Sequence, residues 1–410
     1  MSLGVENLVR SKLLIDGQWV DGASRDRLTD KYSGRLFGEM EVASPDQVDR
    51  AVTGAIAAVQ TLELSAEEAK RLKGELVPMQ AADGVQNRMG FTIHMPRGVI
   101  CAITPFNSPL NTLAHKVGPA LAGGNAVVIK PSKHSPLSAV ALCEALLEAG
   151  LPTKLLALVH GSGSTIGRQL LADQRIAFYA FTGSTRVGRE IQQAAGLRGA
   201  QLELGSIAST IVCHDADLAL AIPKIINAGF RKAGQVCTSV QRLFIDRRVM
   251  DVFVPRFVEA LAATRAGDPA DPSVVIGPMI SRAHAERAEV WVKEAVSRGA
   301  RVLIGGTRDG QVFAPTVLDN VDEAMRVVCE EILAPVVCLM PFDDIDDAVA
   351  RANASPFGLA AGMFTTNLQT AFRISSQLRF GGVKDSGYGR EGSAYAIREM
   401  TEERLITIAY

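Results

Sequence analysis

The sequence predicts an α/β chain built around parallel sheets, and three observations carry that prediction. Short β-branched apolar runs alternate with helix-like stretches, glycine-bearing loops separate them, and 410 residues at 47% hydrophobic content can bury a large core over two or more domains. Asn125–Lys130 is the first clear apolar run. Ser135-Pro136 then signals a helix start, with Ser as N-cap and Pro at the first helical position, and the apolar period ends at Gly150. Leu155–Val159 is the next buried strand, a helix follows Gly163, and Ile176–Phe181 is a further strand. A second alternating region runs from Gln241–Asp246 to Pro335–Met340. Gly90–Met95 and Arg404–Tyr410 read as strands that need another strand or subunit to cover them, because a lone hairpin is marginal in water. Sheets of this kind bind ligands at the carboxyl ends of their strands.

Charge and cysteine usage narrow the function. A net charge of −1 removes the electrostatic footprint of a nucleic-acid binder. The six cysteines (101, 143, 213, 237, 329 and 338) show neither CxxC nor metal-ligand spacing, so the reading is reduced thiols in the cytoplasm and no metal site. No signal peptide or membrane span is expected. Met1-Ser2-Leu3 reads as a cloning remnant.

The residue that points to chemistry is Cys237, in Gly234-Gln-Val-Cys-Thr-Ser-Val-Gln-Arg242, with Leu202-Glu203-Leu204-Gly205 upstream. A thiol reacts as its thiolate, and a carboxylate such as Glu203 can activate the thiol or a water that later attacks an acyl-enzyme. Taken alone, a cysteine is more often a small buried hydrophobe. Glu203 is harder to dismiss, since a carboxylate in an apolar strand is costly unless exposed or functional. Asn107 serves equally as a turn residue, Lys130 as a solvated strand end, and Glu331 as a solvated face. Gly161–Gly167 nearly fits GxGxxG but has the wrong final spacing. The turn Gly183-Ser184-Thr-Arg-Val-Gly188 is better placed to aim helix N–H groups at a phosphate.

These segments occur in a fixed order with Thr104–Asn107, Ile129–Ser132, Phe181–Ser184, Glu330–Leu333, Ser355–Leu359 and Lys384–Glu391. In that order the chain resembles the aldehyde dehydrogenase superfamily, from near Leu14 to the C-terminus. The resemblance implies a Rossmann-like cofactor domain (1–81 and 99–205), an α/β catalytic domain (206–398) and a small β oligomerisation element (82–98 and 399–410). It implies NAD or NADP as cofactor, a small-molecule aldehyde as substrate, and a homodimer or homotetramer.

The resemblance also implies roles. Cys237 would attack the aldehyde, Asn107 would donate to the oxyanion, and Glu203 would activate the water that hydrolyses the thioester. Lys130 and Glu331 match positions that hold cofactor ribose hydroxyls, while Gly183 and Ser184 match the turn beneath the pyrophosphate. In Lys130-Pro131-Ser132-Lys133 the family frequently has Glu last, so Lys133 implies acceptance of NADP. The carboxylate at 203 favours hydrolysis over transfer to coenzyme A. A non-redox thioesterase or esterase using Cys237 would have no use for Lys130 or the Gly183 turn. The stretch 233–242 looks most like members acting on lactaldehyde or on phosphonate- and sulfonate-bearing aldehydes.

Departures are visible too. Leu333 and Ala334 stand where Phe and Gly are common, and Ser206-Ile207-Ala208 replaces a second glycine and its polar followers. The helix begun at Ser44-Pro45 passes from Ala51–Gln60 almost at once into Glu67–Leu72, and Arg379–Lys384 fuses two segments that normally flank a loop. Both joins keep family-like sequence on either side, which implies missing segments and chain breaks near Leu62 and Gly382.

Overall fold

The computed structural model describes residues 12–15, 18–21, 29–33, 45–79, 84, 87–378 and 381–410, with side chains of the first helix described from Ala58 onward. The described chain separates into two units. One comprises Arg50–Glu203 and Tyr388–Tyr410 with the strands at 13–20, and the other comprises Leu204–Gly387 with residues 29–33.

In the first unit the sheet order is Gln18–Val20, Leu13–Ile15, Leu156–Leu158, Ala126–Lys130, Val99–Ile103, Ile176–Thr182, Gly199–Glu203. The last five of these are parallel, and Leu13–Ile15 joins antiparallel. The chain leaves Val99–Ile103 toward one edge, then crosses back to its other side at Ile176–Thr182. That reversal of direction is where doubly wound sheets open a ligand crevice. Asn107, Lys130, Gly183 and Glu203 all lie at or just beyond carboxyl ends of these strands, so one edge of one sheet gathers four candidate residues.

Helix Leu137–Glu148 closes as its sequence suggests, with Gly150 at φ 91° just past the end. Its start differs from expectation: Pro136 occupies the N-cap without a side-chain cap, and the Ser135 hydroxyl is buried and unpaired. The Ser135 amide instead closes a turn onto the Ser132 carbonyl, which turns the residue away from capping.

Helix Pro45–Arg71 runs through the join near Leu62. Ser44, Met1-Ser2-Leu3 and the join at Arg379-Phe380 lie outside the described residues. Strands Arg88–Pro96 and Thr401–Ala409 pair antiparallel along their full lengths, Thr401 against Pro96 and Ala409 against Arg88, with Leu76–Val77 as third strand. Residues 388–398, assigned by sequence to the catalytic segment, fall in the first unit, where helix Ser393–Glu399 packs on helix Asn111–Ala122.

The second unit holds a sheet ordered Arg301–Ile304, Thr316–Asp319, Val336–Phe342, Arg242–Asp246, Ser209–Val212, Ala361–Phe364, parallel except at the first pair. Its central strands are buried throughout, as near-continuous apolar runs require. Cys237 lies in the segment that leads into the buried strand Arg242–Asp246.

Candidate active site

Within the first unit Glu203 ends its strand, and its carbonyl accepts the Gly183 amide at 3.0 Å, which joins the base candidate to the phosphate-turn candidate. Burial pushes the Glu203 carboxyl up to about 7, and the neighbouring Glu391 carboxylate adds to the rise. Lys116, the Glu391 backbone N–H and Arg390 pull the other way. Lys116 is fully buried, 3.3 Å from Glu391 Oε1. A carboxyl raised this far is divided between its two protonation states near neutral pH, which suits a general base.

Neither Lys116 nor Glu391 was singled out by sequence. Lys116 had one signal, a lysine beside His115 in the mostly apolar Leu113-Ala-His-Lys-Val-Gly118, and Glu391 sat unassigned inside the terminal motif. Glu391 is held by its neighbours. The Arg390 amide donates to Glu399 Oε1 at 3.0 Å, and Gln201 Nε2 donates to the Arg390 carbonyl. Gly389 takes a left-handed φ of 79°, which favours glycine, and a Cβ there would meet Glu399 Oε2 at 2.7 Å.

Lys130 does not end its strand in solvent. It is 6% exposed, its ammonium donates to the Pro131 carbonyl at 3.3 Å, and burial lowers its pKa. Ser132 Oγ accepts the His134 amide, and Lys133 is exposed. Asn107 is half-buried in the loop after Val99–Ile103, beside Phe106, whose ring meets His134 edge-on at 6.3 Å. Ser184 caps helix Thr185–Ala195 by accepting the Val187 amide, and Gly183 leaves no room for a Cβ, which would lie 2.5 Å from the Phe181 ring. A buried ammonium and a helix N-terminus on the same strand edge fit a dinucleotide's hydroxyls and phosphates.

Within the second unit Cys237 is half-buried. Lys232, Ala233 and Gly234 precede it in three successive left-handed conformations, φ 53°, 54° and 65°. The Lys232 carbonyl accepts both the Gln235 amide at 3.1 Å and its Nε2 at 3.2 Å, and Gln235 Oε1 accepts the Ile280 amide at 2.9 Å. Burial lowers the Lys232 pKa, Arg231 lowers it further, and the Cys237 thiol opposes both. Four of the other cysteines are buried, which pushes Cys101, Cys143 and Cys338 to about 12 and Cys213 to about 11; Cys329 is exposed, with its pKa also raised.

Glu331 is no solvated face either. Its Oε1 accepts the Ser206 amide at 2.9 Å; burial raises its pKa, while that amide and Arg287 lower it. Leu333, at the departure from the family pattern, takes a left-handed φ of 50°. Cys237 and Glu331 thus belong to the second unit, and the remaining candidates to the first.

The family model for the aldehyde dehydrogenase family matches residues 39–406. The chain is 39% identical to a 3-sulfolactaldehyde dehydrogenase of Priestia aryabhattai, over 97% of each chain. That alignment spans 464 positions against 410 residues here, so the relative carries segments this chain lacks. A lactaldehyde dehydrogenase of Methanococcus maripaludis is 36% identical over 88% of this chain and 80% of its own. The NADP-dependent glyceraldehyde-3-phosphate dehydrogenase of Bacillus halodurans, solved with NADP, superimposes with a TM-score of 0.88 at 30% identity, over 98% of this chain and 99% of its own. The chain belongs to the aldehyde dehydrogenase family and is an NAD(P)-dependent enzyme of aldehyde oxidation.

Proposed function

We propose that the protein oxidises a short, oxygenated or anionic aldehyde to its carboxylic acid by a hydrolytic thioester route. The carrying observation is the Glu203 carboxyl, raised to about 7 by burial and Glu391. Cys237 adds to the aldehyde carbonyl to give a thiohemiacetal. The Asn107 side-chain amide and the Cys237 backbone N–H donate to the oxyanion, a contribution of about 3 kcal/mol for one such donor. A nicotinamide cofactor held by Lys130, Glu331, Gly183 and Ser184 would supply the hydride acceptor, and loss of a hydride from the thiohemiacetal carbon would leave a thioester on Cys237. Glu203 then takes a proton from the water that attacks the thioester, releasing the acid and the thiol.

Lys130 and Glu331 hold ribose hydroxyls in this reading, Gly183 and Ser184 the pyrophosphate, and Ser132 and Lys133 the adenosine end. The 3-sulfolactaldehyde and lactaldehyde dehydrogenases among the relatives support lactaldehyde and its sulfonate-bearing counterpart as first substrates. A homodimer or homotetramer fits the sheet ending in Thr401–Ala409, where Leu405 is 55% and Ile408 45% exposed. The domain roles follow the sequence assignment except that residues 388–398 go with the first unit, and a cytoplasmic location is proposed from the cysteine usage alone. Among the described residues no helix is long and apolar enough to cross a membrane.

Appearance of NAD(P)H absorbance with a panel of aldehydes, with and without coenzyme A, tests the reading. Turnover without coenzyme A supports hydrolysis. Strict dependence on coenzyme A replaces hydrolysis with acyl transfer, and ester cleavage without reduced cofactor leaves only the thiol chemistry.

A further inference from the structure

We infer that Gln241 is a positioning residue that fixes the Glu331 carboxylate to the segment carrying Cys237. Gln241 stands four positions past the nucleophile candidate, at the entry to strand Arg242–Asp246. It is 4% exposed. Its Nε2 donates to the Val327 carbonyl at 2.9 Å and the Glu330 carbonyl at 2.7 Å, and its Oε1 accepts the Ile332 amide at 3.2 Å. Both amide protons and the oxygen therefore go to the backbone on either side of Glu331. Two carbonyls and one N–H around the group also fix which end of the amide is nitrogen.

The main chain of Gln241 is tied just as firmly. Its N–H donates to the Ala208 carbonyl at 3.1 Å, and its carbonyl accepts the Cys338 amide at 2.8 Å. Ala208 lies two residues beyond Ser206, whose amide holds Glu331 Oε1 at 2.9 Å. The carboxylate is thus held from its own backbone by Gln241 and at its tip by Ser206. The turn needs this frame, because Leu333 immediately beyond it sits at φ 50°, where a leucine has no local preference to stay. Several backbone groups of this buried turn find their partner in one side chain, so its loss frees the turn rather than one bond.

This rests on the reading that Glu331 holds a cofactor ribose, and the test separates the two. Affinity for NAD+ and NADP+ is measured by calorimetry in wild type, Gln241→Met, Glu331→Gln and the double variant. Methionine keeps the volume and removes every side-chain hydrogen bond; Gln241→Asn keeps the amide on a side chain one methylene shorter, and stands in should the methionine variant not fold. Gln241→Met weakens the better cofactor roughly tenfold, the equivalent of about one buried hydrogen bond. In the Glu331→Gln background it adds less than about twofold, because the residue acts through a carboxylate already gone. The alkylation rate of Cys237 by iodoacetamide stays within about twofold of wild type in Gln241→Met.

A full tenfold loss in both backgrounds overturns the inference, as does a large change in alkylation, which would make Gln241 a support of the nucleophile loop. If Glu331→Gln binds cofactor as wild type does, the ribose reading itself falls, and this one with it.

Discussion

The fully buried Lys116 ammonium lies 3.3 Å from the Glu391 carboxylate, and the two opposite charges act against one another on Glu203. Turnover therefore rises with pH through about 7 as Glu203 ionises. Glu391→Gln removes a negative neighbour and moves that limb to lower pH; Lys116→Met removes a positive one and moves it higher. Breaking a buried pair destabilises by roughly 3–5 kcal/mol, so thermal unfolding is followed alongside the pH profiles of all three proteins. Superimposable profiles would remove both residues from the control of Glu203.

Glu203→Gln separates the two halves of the reaction. Acylation persists while hydrolysis slows, so rapid mixing shows a burst of reduced cofactor near one equivalent per site and little turnover afterwards. Wild-type steady-state rates would exclude Glu203 as the base, and a missing burst would assign it to thiol activation.

The same variant carries a stability signature. The folded Glu203 carboxyl titrates at about 7 against an ordinary value of 4.5, so its contribution is intact below pH 4.5 and is lost as pH rises through 7. Glu203→Gln has no such loss and unfolds at higher temperature than wild type at pH 8, by up to about 3 kcal/mol, with the gap closing toward pH 5. A gap independent of pH would show that Glu203 is not held in this state.

Cys237→Ala abolishes aldehyde oxidation and leaves cofactor affinity within about twofold, because the nucleophile does not hold the dinucleotide. One equivalent of iodoacetamide at pH 7 inactivates the enzyme by labelling Cys237, since Cys101, Cys143, Cys213 and Cys338 are buried and the exposed Cys329 has a raised pKa. Peptide mapping that finds the label at Cys329 would refute this order of reactivity.

The strands were legible because buried parallel strands are short apolar runs: Asn125–Lys130 and Ile176–Phe181 fall within a residue of Ala126–Lys130 and Ile176–Thr182. The Ser135 cap was not, because the turn onto Ser132 competes for its backbone. Glu203 stands out as a carboxylate out of place in an apolar strand, whereas Cys237 is marked only by the motif around it. Lys116, Glu391 and Gln241 act through partners far away in sequence, Gln241 reaching across 89 positions to Glu330, and no local pattern reports such a partner.

In the proposed function Lys133, exposed just past the buried Lys130, would set cofactor choice. An ammonium there favours the 2′-phosphate of NADP, and a carboxylate favours the free hydroxyls of NAD. In Lys133→Glu, kcat/KM for NADP falls roughly tenfold or more while that for NAD holds or improves. An unchanged ratio would show that Lys133 points to solvent and does not read the ribose.

The nucleophile loop offers a paired backbone test. Gly234 takes φ 65°, and a Cβ there would lie 2.1 Å from the Ala334 carbonyl oxygen, a backbone atom that cannot move aside alone. Gly234→Ala therefore displaces the loop from the Glu331 turn and removes activity together with at least about 2 kcal/mol of stability. Ala233 is also left-handed, at φ 54°, and a glycine relieves roughly 1–2 kcal/mol of that strain against about 0.5–1 kcal/mol of added chain entropy and about 0.8 kcal/mol for the buried methyl lost. Ala233→Gly thus melts close to wild type and keeps its turnover. Substitutions that behave alike at 233 and 234 would show that the close approach of Gly234 to the Ala334 carbonyl does not set the loop.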